Sequence, residues 1–176
     1  MFAVHMKFEE YRLSKEVKRN LEEMGFKRPT DIQFKCIPHI QRGEDLLAIA
    51  QTGTGKTAAF AIPLIDKLQQ IKYKAFEKGS VVRAIVMAPT RELAQQITQV
   101  FNKIGKGSNV KAVCIYGGVE QDYQVKRLLE GMDIVVSTPG RMFDLQAQGH
   151  LKLGKVSILV LDEADHMLDL GFAKDI

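Results

Sequence analysis

Five short apolar runs constrain what this chain can fold into: Leu46 to Ala50, Val81 to Ala88, Val110 to Ile115, Asp133 to Val136 and Ser157 to Leu161. Each is rich in Val, Ile or Leu, and most are separated by a segment long enough for a helix. A strand with one wet face alternates apolar and polar residues. A near-continuous apolar run instead implies burial on both faces, and intervening helices supply the crossovers that parallel pairing requires. The expected fold class is therefore α/β, a mostly parallel sheet with helices on both faces. Before the first run, Val17, Leu21 and Met24 recur at helical spacing behind Ser14, a residue suited to an N-cap, and Gly25 is placed to end that helix. A second helix is expected from Thr30, kinked or ended by Pro38. Lys72 to Ser80 reads as a surface loop and the natural place for mobility.

At 176 residues the chain is one domain by length, large enough to bury a core, and its 45% hydrophobic and 26% charged content is that of a soluble globular protein. The 25 Lys and Arg against 21 acids leave a net charge of +4, which is compatible with a polyanionic partner but does not single one out. Cys36 and Cys114 lie far apart with no C-x-x-C and no His cluster, which argues against a disulfide framework or a zinc site and suits a reducing cytoplasm. No apolar run approaches the ~20 residues of a membrane-spanning helix. The first residues lack the basic and apolar regions of a signal peptide, and Met1 to His5, ahead of a second methionine at Met6, reads as a tag remnant or an upstream extension.

Two stretches carry chemistry. After the first apolar run comes Ala50-Gln51-Thr52-Gly53-Thr54-Gly55-Lys56-Thr57, then a helix-forming segment from Ala58. A glycine turn ahead of a helix lets several backbone N–H groups converge on phosphate oxygens, and the helix N-terminus adds partial positive charge there. In that setting Lys56 neutralises β- and γ-phosphate charge, and the Thr57 hydroxyl ligates magnesium. The generic pattern has glycine where this chain has Ala50, and the bland alternative is a glycine turn capping an ordinary helix. The second stretch, Asp162-Glu163-Ala164-Asp165, ends the last apolar run, so its acids sit at a strand's C-terminal tip, where open α/β sheets bind ligands. Asp162 suits a magnesium that keeps most of its waters, and Glu163 suits a base orienting an attacking water. Alternatively these are solvated acids, with Asp165 capping a helix that begins at His166.

Read with further motifs, these stretches resemble the N-terminal RecA-like domain of a DEAD-box RNA helicase. That family writes its phosphate loop A-x-T-G-x-G-K-T, which accommodates Ala50. Gly25-Phe26-Lys27-Arg28-Pro29-Thr30-Asp31-Ile32-Gln33 resembles its Q motif, with Phe8 at the isolated upstream aromatic position and Asp31 a small departure. Pro89-Thr90-Arg91-Glu92-Leu93-Ala94 resembles motif Ia, Gly117-Gly118 the GG turn, and Thr138-Pro139-Gly140-Arg141 motif Ib. The resemblance spans residues 8 to 172, and Asp165 with the Q motif disfavours a P-loop kinase or a DNA helicase of another family.

The resemblance implies an ATP-dependent RNA helicase with ATP and Mg2+ as cofactors. Nucleotide binding falls to Phe8, Phe26, Arg28, Gln33, Thr52, Gly53, Thr54, Gly55, Lys56 and Thr57; magnesium to Thr57 and Asp162; catalysis to Glu163, Lys56 and Asp162. Gln33 is implied to meet the adenine edge and Phe26 its face, although Thr30-x-x-Gln33 is also a capping box. Pro89, Thr90, Arg91, Gly118, Thr138, Pro139, Gly140 and Arg141 are implied to hold RNA through phosphate and sugar, without reading sequence. Pro-Thr-Arg-Glu and Thr-Pro-Gly-Arg are equally plain helix starts, and a helix N-terminus is itself a phosphate site. The expected layout is an extension at 1–5, a helical region with the Q motif at 6–34, and a RecA-like P-loop NTPase domain at 35–176. No S-A-T motif follows Asp165, so the resemblance implies a domain incomplete at its C-terminus, inactive alone and needing a C-terminal RecA-like domain as partner. The strand at 46–50 is expected parallel to that at 157–161 and one strand removed from it, ~9–10 Å between axes.

Overall fold

The computed structural model describes residues 6–71 and 81–172. The loop expected at Lys72 to Ser80 lies outside them. The described residues form two compact units, one up to residue 71 with 100–109 and one from 81–99 with 110–172.

The first unit is helical. A 3-10 turn at Phe8–Glu10 leads to α1 (Lys15–Glu23), α2 (Asp31–Arg42) and α3 (Lys56–Gln70), joined by the last turn of α4 (Arg91–Ile104). Ser14 caps α1 as expected, its hydroxyl accepting the Val17 N–H at 3.3 Å. The Ser14 N–H in turn donates to the Asp66 carboxylate of α3 at 2.7 Å, and burial pushes the Asp66 pKa up. α3 is buried almost all round, from Ala58 through Leu68. Pro38 does not end α2, which continues to Arg42. A mid-helix proline forfeits one backbone hydrogen bond, and here the burial of Cys36 and Ile37 around it holds the helix together.

The segment Leu46 to Ala50 corrects a second expectation: it forms no strand. Leu47 and Ile49 are 88% and 90% exposed, and among the described residues the segment pairs with no strand. A single apolar strand has no stability without a hydrogen-bonded neighbour and a face to cover. The parallel placement expected for it against residues 157–161 therefore falls away.

The second unit holds a four-stranded parallel sheet in the order β2-β3-β1-β4, from β1 (Ala84–Met87), β2 (Ala112–Ile115), β3 (Ile134–Ser137) and β4 (Ile158–Leu161). All four apolar runs after the first thus become strands. Every residue of β1 and β3 is buried, as two-sided burial requires. On one face, Ile85, Met87, Val113, Ile115 and Val135 pack with Leu128 of α5 (Asp122–Leu129), Met142 and Leu145 of α6 (Pro139–Ala147) and Met167 of α7 (Ala164–Asp169). β4 departs from the expectation. It is an edge strand, and Leu159 is 56% exposed. At the other end of the strands, Asp133 closes the sheet. Its carboxylate takes the Arg83 guanidinium at 2.8 Å and the Lys111 N–H at 2.8 Å, while its carbonyl accepts the N–H groups of Arg83 and Ala84.

Candidate functional site

In the helical unit, the loop after Gln51 turns through Thr52 to Gly55 into α3, so that the first N–H groups of a fifteen-residue helix face outward from a glycine turn. Thr54 pins the turn by donating its hydroxyl to the Gln51 carbonyl at 2.8 Å. Gly55 sits at φ +91, and a Cβ there would lie 2.4 Å from Gln33 Nε2. The backbone conformation favours glycine at that position, and a side chain there would displace the Gln33 amide.

Gln33 explains the approach. Its Nε2 donates to the Gly55 carbonyl at 3.2 Å, and its Oε1 accepts the Thr30 N–H at 3.0 Å. The capping box read from the sequence therefore exists, and the same side chain also ties α2 to the phosphate loop. The two bonds fix the amide orientation. A glutamine amide has two donor hydrogens and two acceptor lone pairs, so one of each remains.

Around this contact lies a cavity of about 440 Å³ lined by Met24 to Arg28, Thr30, Gln33 and Gly53 to Gly55. Of the nucleotide residues expected from the sequence, it brings together Phe26, Arg28, Gln33, Gly53, Thr54 and Gly55. Thr52 is exposed beside it, and Lys56 and Thr57 are half-buried in the first turn of α3. Phe8 is not part of the lining. It is 3% exposed, its ring 6.0 Å from that of Phe26 and 5.8 Å from that of Tyr11, so it backs the aromatic that does line the cavity.

In the sheet unit, the strands end level: Met87 pairs with Ser137 and Leu161, and Ile115 with Ser137. Pro89 to Arg91, Gly117-Gly118, Thr138 to Arg141 and Asp162-Glu163 all follow these C-terminal tips, on the edge where parallel sheets bind ligands. Asp162 is 8% exposed, and its N–H extends the β1–β4 ladder to the Met87 carbonyl at 3.0 Å. Glu163 has φ 53 and ψ 50, the only non-glycine residue in the left-handed region among the described residues. It, rather than Asp165, precedes the last helix, which begins at Ala164, so Asp165 lies in the first turn and the expected cap at that residue does not form. The Glu163 carboxylate lies 3.6 Å from His166 Nδ1.

The helix starts read from the sequence are both present. Thr90 Oγ1 accepts the Leu93 N–H at 3.2 Å at the head of α4, and Thr138-Pro139 opens α6. Sequence reasoning missed what surrounds the Gly-Gly turn. Tyr116 lies 5.9 Å beneath the Arg91 guanidinium, and its hydroxyl accepts a hydrogen bond from Gln95 at 3.0 Å. The buried Gln124 clasps the Tyr116 backbone, accepting its N–H at 2.9 Å and donating to its carbonyl at 3.1 Å. An aromatic next to Gly-Gly was the available signal for Tyr116. No local pattern announces Gln124.

In a comparison with known families, the model described as DEAD/DEAH box helicase covers residues 30–176. The chain belongs to that family. It is 45% identical over 169 residues to the DEAD-box ATP-dependent RNA helicase CshA of Geobacillus kaustophilus, covering 96% of this chain and 35% of that protein. The ATP-dependent RNA helicase CshA of Listeria monocytogenes is 44% identical over 170 residues, covering 97% of this chain and 31% of the relative. Among solved structures, a DEAD box protein from the hyperthermophile Methanococcus jannaschii superposes with a TM-score of 0.85 at 41% identity, covering 97% of this chain and 45% of that one. The four-stranded parallel sheet with its helices is thus the RecA-like fold of DEAD-box proteins, and the chain spans about a third of the length of its curated relatives.

Proposed function

We propose that this chain is the ATP-binding part of an ATP-dependent RNA helicase, in which ATP binding and hydrolysis drive RNA binding and remodelling. The observation that carries the reading is the cavity in which Gln33, Phe26 and the glycine loop meet. Phe26 offers a face for adenine, backed by Phe8. Gln33 has one donor and one acceptor left, the complement of adenine N7 and N6. The triphosphate then runs along the loop, where backbone N–H groups, the dipole of α3 and Lys56 meet its charge.

Magnesium fits the donors present. Among the described residues no cluster of three or more His, Cys, Asp or Glu exists to cage a metal. Magnesium, however, usually keeps several waters and takes only one or two protein ligands beside phosphate oxygens. Thr57 and Asp162 are the residues that would hold it, and the ion would supply charge neutralisation on the phosphates. Glu163 orients and deprotonates the attacking water. Its strained backbone supports that assignment, since such conformations cluster where side-chain aim matters. The sheet-edge residues from Pro89 to Arg91, at Gly118, and from Thr138 to Gly140 form a track for single-stranded RNA. They bind backbone rather than bases, in a cytoplasmic setting.

Glu163→Gln tests the reading. It keeps volume and hydrogen-bonding shape and removes the charge. In a longer protein carrying a second RecA-like domain, nucleotide affinity should hold while turnover falls ~10²–10⁴-fold, the effect of losing a positioned base. Lys56→Ala should weaken binding and hydrolysis together, because its charge meets the phosphates in ground and transition states alike. Full turnover with Gln at position 163 would make the carboxylate structural. The 176-residue chain alone should bind ATP and hydrolyse it negligibly.

A further inference from the structure

The Gly-Gly turn and the start of α6, separate RNA contacts when read from the sequence, are physically joined. Arg141, in the first turn of α6, donates from Nη2 to the Val119 carbonyl at 2.9 Å. Its Nη1 is buried with no hydrogen-bond partner among the described residues. The turn is also held at both ends. Gln124 clasps Tyr116 ahead of it, and the side chains of Gln121 and Gln148, the latter at the end of α6, exchange hydrogen bonds at 2.9 and 3.3 Å behind it. Between these ends Gly118 stands at φ +79, and a Cβ built on it would meet nothing within 4 Å. The turn's own backbone therefore selects glycine there, and the space beside it is open. A turn with that freedom needs a tie at its centre, and the Arg141 guanidinium is the tie.

We propose that Arg141 is a positioning residue which fixes the Gly117–Gly118–Val119 turn against α6, so that the turn's backbone, rather than the guanidinium, meets the RNA phosphate. The proposal rests on the RNA reading above. With one arm on a carbonyl and the other buried, the guanidinium would have to give up the Val119 bond to reach a phosphate. A charged donor on a carbonyl also makes a stronger bond than a neutral pair would. Lysine could replace a phosphate ligand, since it keeps the charge, but it cannot reproduce the planar fork.

Arg141→Lys separates the roles, with a thermal melt to establish that the variant is folded. In the free 176-residue chain, amide hydrogen exchange across Gly117 to Glu120 should accelerate ~10–100-fold, the local consequence of losing a charged hydrogen bond. Binding of an oligouridylate should weaken by a similar factor at every salt concentration. The slope of log affinity against log salt should stay unchanged, because no charge is lost. Unchanged exchange would remove the tie, whatever RNA does. Faster exchange with wild-type RNA affinity would make the tie merely structural. A variant that binds RNA like wild type without faster exchange would return Arg141 to the role of phosphate ligand. If the wild-type chain binds no oligouridylate, the RNA reading fails and the positioning role with it, while the exchange measurement still reports whether the tie exists.

Discussion

Replacing Gln33 with alanine should separate its two jobs. One job is structural. The side chain is 2% exposed, accepts the Thr30 N–H and donates to the Gly55 carbonyl. Loss of the cap costs ~1 kcal/mol, and loss of the neutral bond to Gly55 a further ~0.5–1.5 kcal/mol. For a chain of this size each kcal/mol lowers the melting temperature by roughly 2–4 °C, so Gln33→Ala should melt roughly 3–10 °C early. The other job, under the proposed function, is recognition. The remaining donor and acceptor match adenine, whereas guanine presents O6 and N7, both acceptors, so the Gln33 oxygen would face another oxygen. A bidentate pair of this kind is worth ~1–3 kcal/mol of discrimination, or ~5–150-fold in affinity.

Calorimetric titration of ATP and GTP into wild type and Gln33→Ala, below the melting range of both, reads the second job without the first. The wild-type chain should prefer ATP, and the variant should lose most of that preference while GTP affinity changes little. If ATP and GTP weaken by the same factor, Gln33 acts only through the cap and the phosphate loop, and the adenine assignment is wrong.

Gly55→Ala puts a Cβ 2.4 Å from Gln33 Nε2 at φ +91. It should lower ATP affinity by roughly ten-fold or more, because strain of ~1–2 kcal/mol and displacement of Gln33 act together; wild-type affinity by calorimetry would contradict the contact. Asp133→Ala removes one partner of Arg83, from a pair whose two side chains are only 7% and 8% exposed. Breaking such a pair costs ~3–5 kcal/mol, so thermal melting should fall by roughly 6–20 °C, and a shift of a degree or two would show that the pair is not buried. Glu44 is held down to about 2 by its hydrogen bonds from Arg42 and His39. Its folded pKa is depressed, so its contribution to stability is present above the ordinary carboxylate range and lost as pH falls through about 2. A carboxyl NMR titration with an ordinary midpoint would dissolve the cluster.

The sequence located four strands because each apolar run was nearly unbroken and each became an inner or edge member of one sheet. It misplaced Leu46 to Ala50 for a reason that hydrophobicity cannot encode. An apolar run states that residues favour burial, but not which neighbour will supply the hydrogen bonds. At Pro38 local chemistry allowed a kink or an end, and the helix does not end there, since Cys36 and Ile37 are buried beside it. The cavity proposed for the nucleotide was legible because its parts carry distinctive local spelling: Gly-Phe, Pro-Thr, a Gln three residues on, and a glycine loop. The ties around the Gly-Gly turn were not. Gln124, Gln95 and Val119 act through contacts set by helices that pass nearby, and nothing in their immediate sequence marks them.

Glu163 shows where the two kinds of information meet. The sequence placed an acid at a strand tip, which alone could be a solvated pair of carboxylates. The structure adds that this acid occupies φ 53, a region where every other described residue is glycine. A left-handed conformation costs a residue with a Cβ ~1–2 kcal/mol. If stability alone governed this position, glycine or asparagine would relieve that cost at the turn from β4 into α7. A strained glutamate, level with the other strand tips, is economical only if its carboxylate is needed in that direction. The cost in backbone energy and the proposed role in orienting water thus support each other. Glu163→Gly should make both visible at once, with a chain about as stable as wild type or more so, by thermal melt, and no turnover in the longer protein. A marked loss of stability would mean that the Glu163 side chain holds the turn together, and the argument from strain would fail.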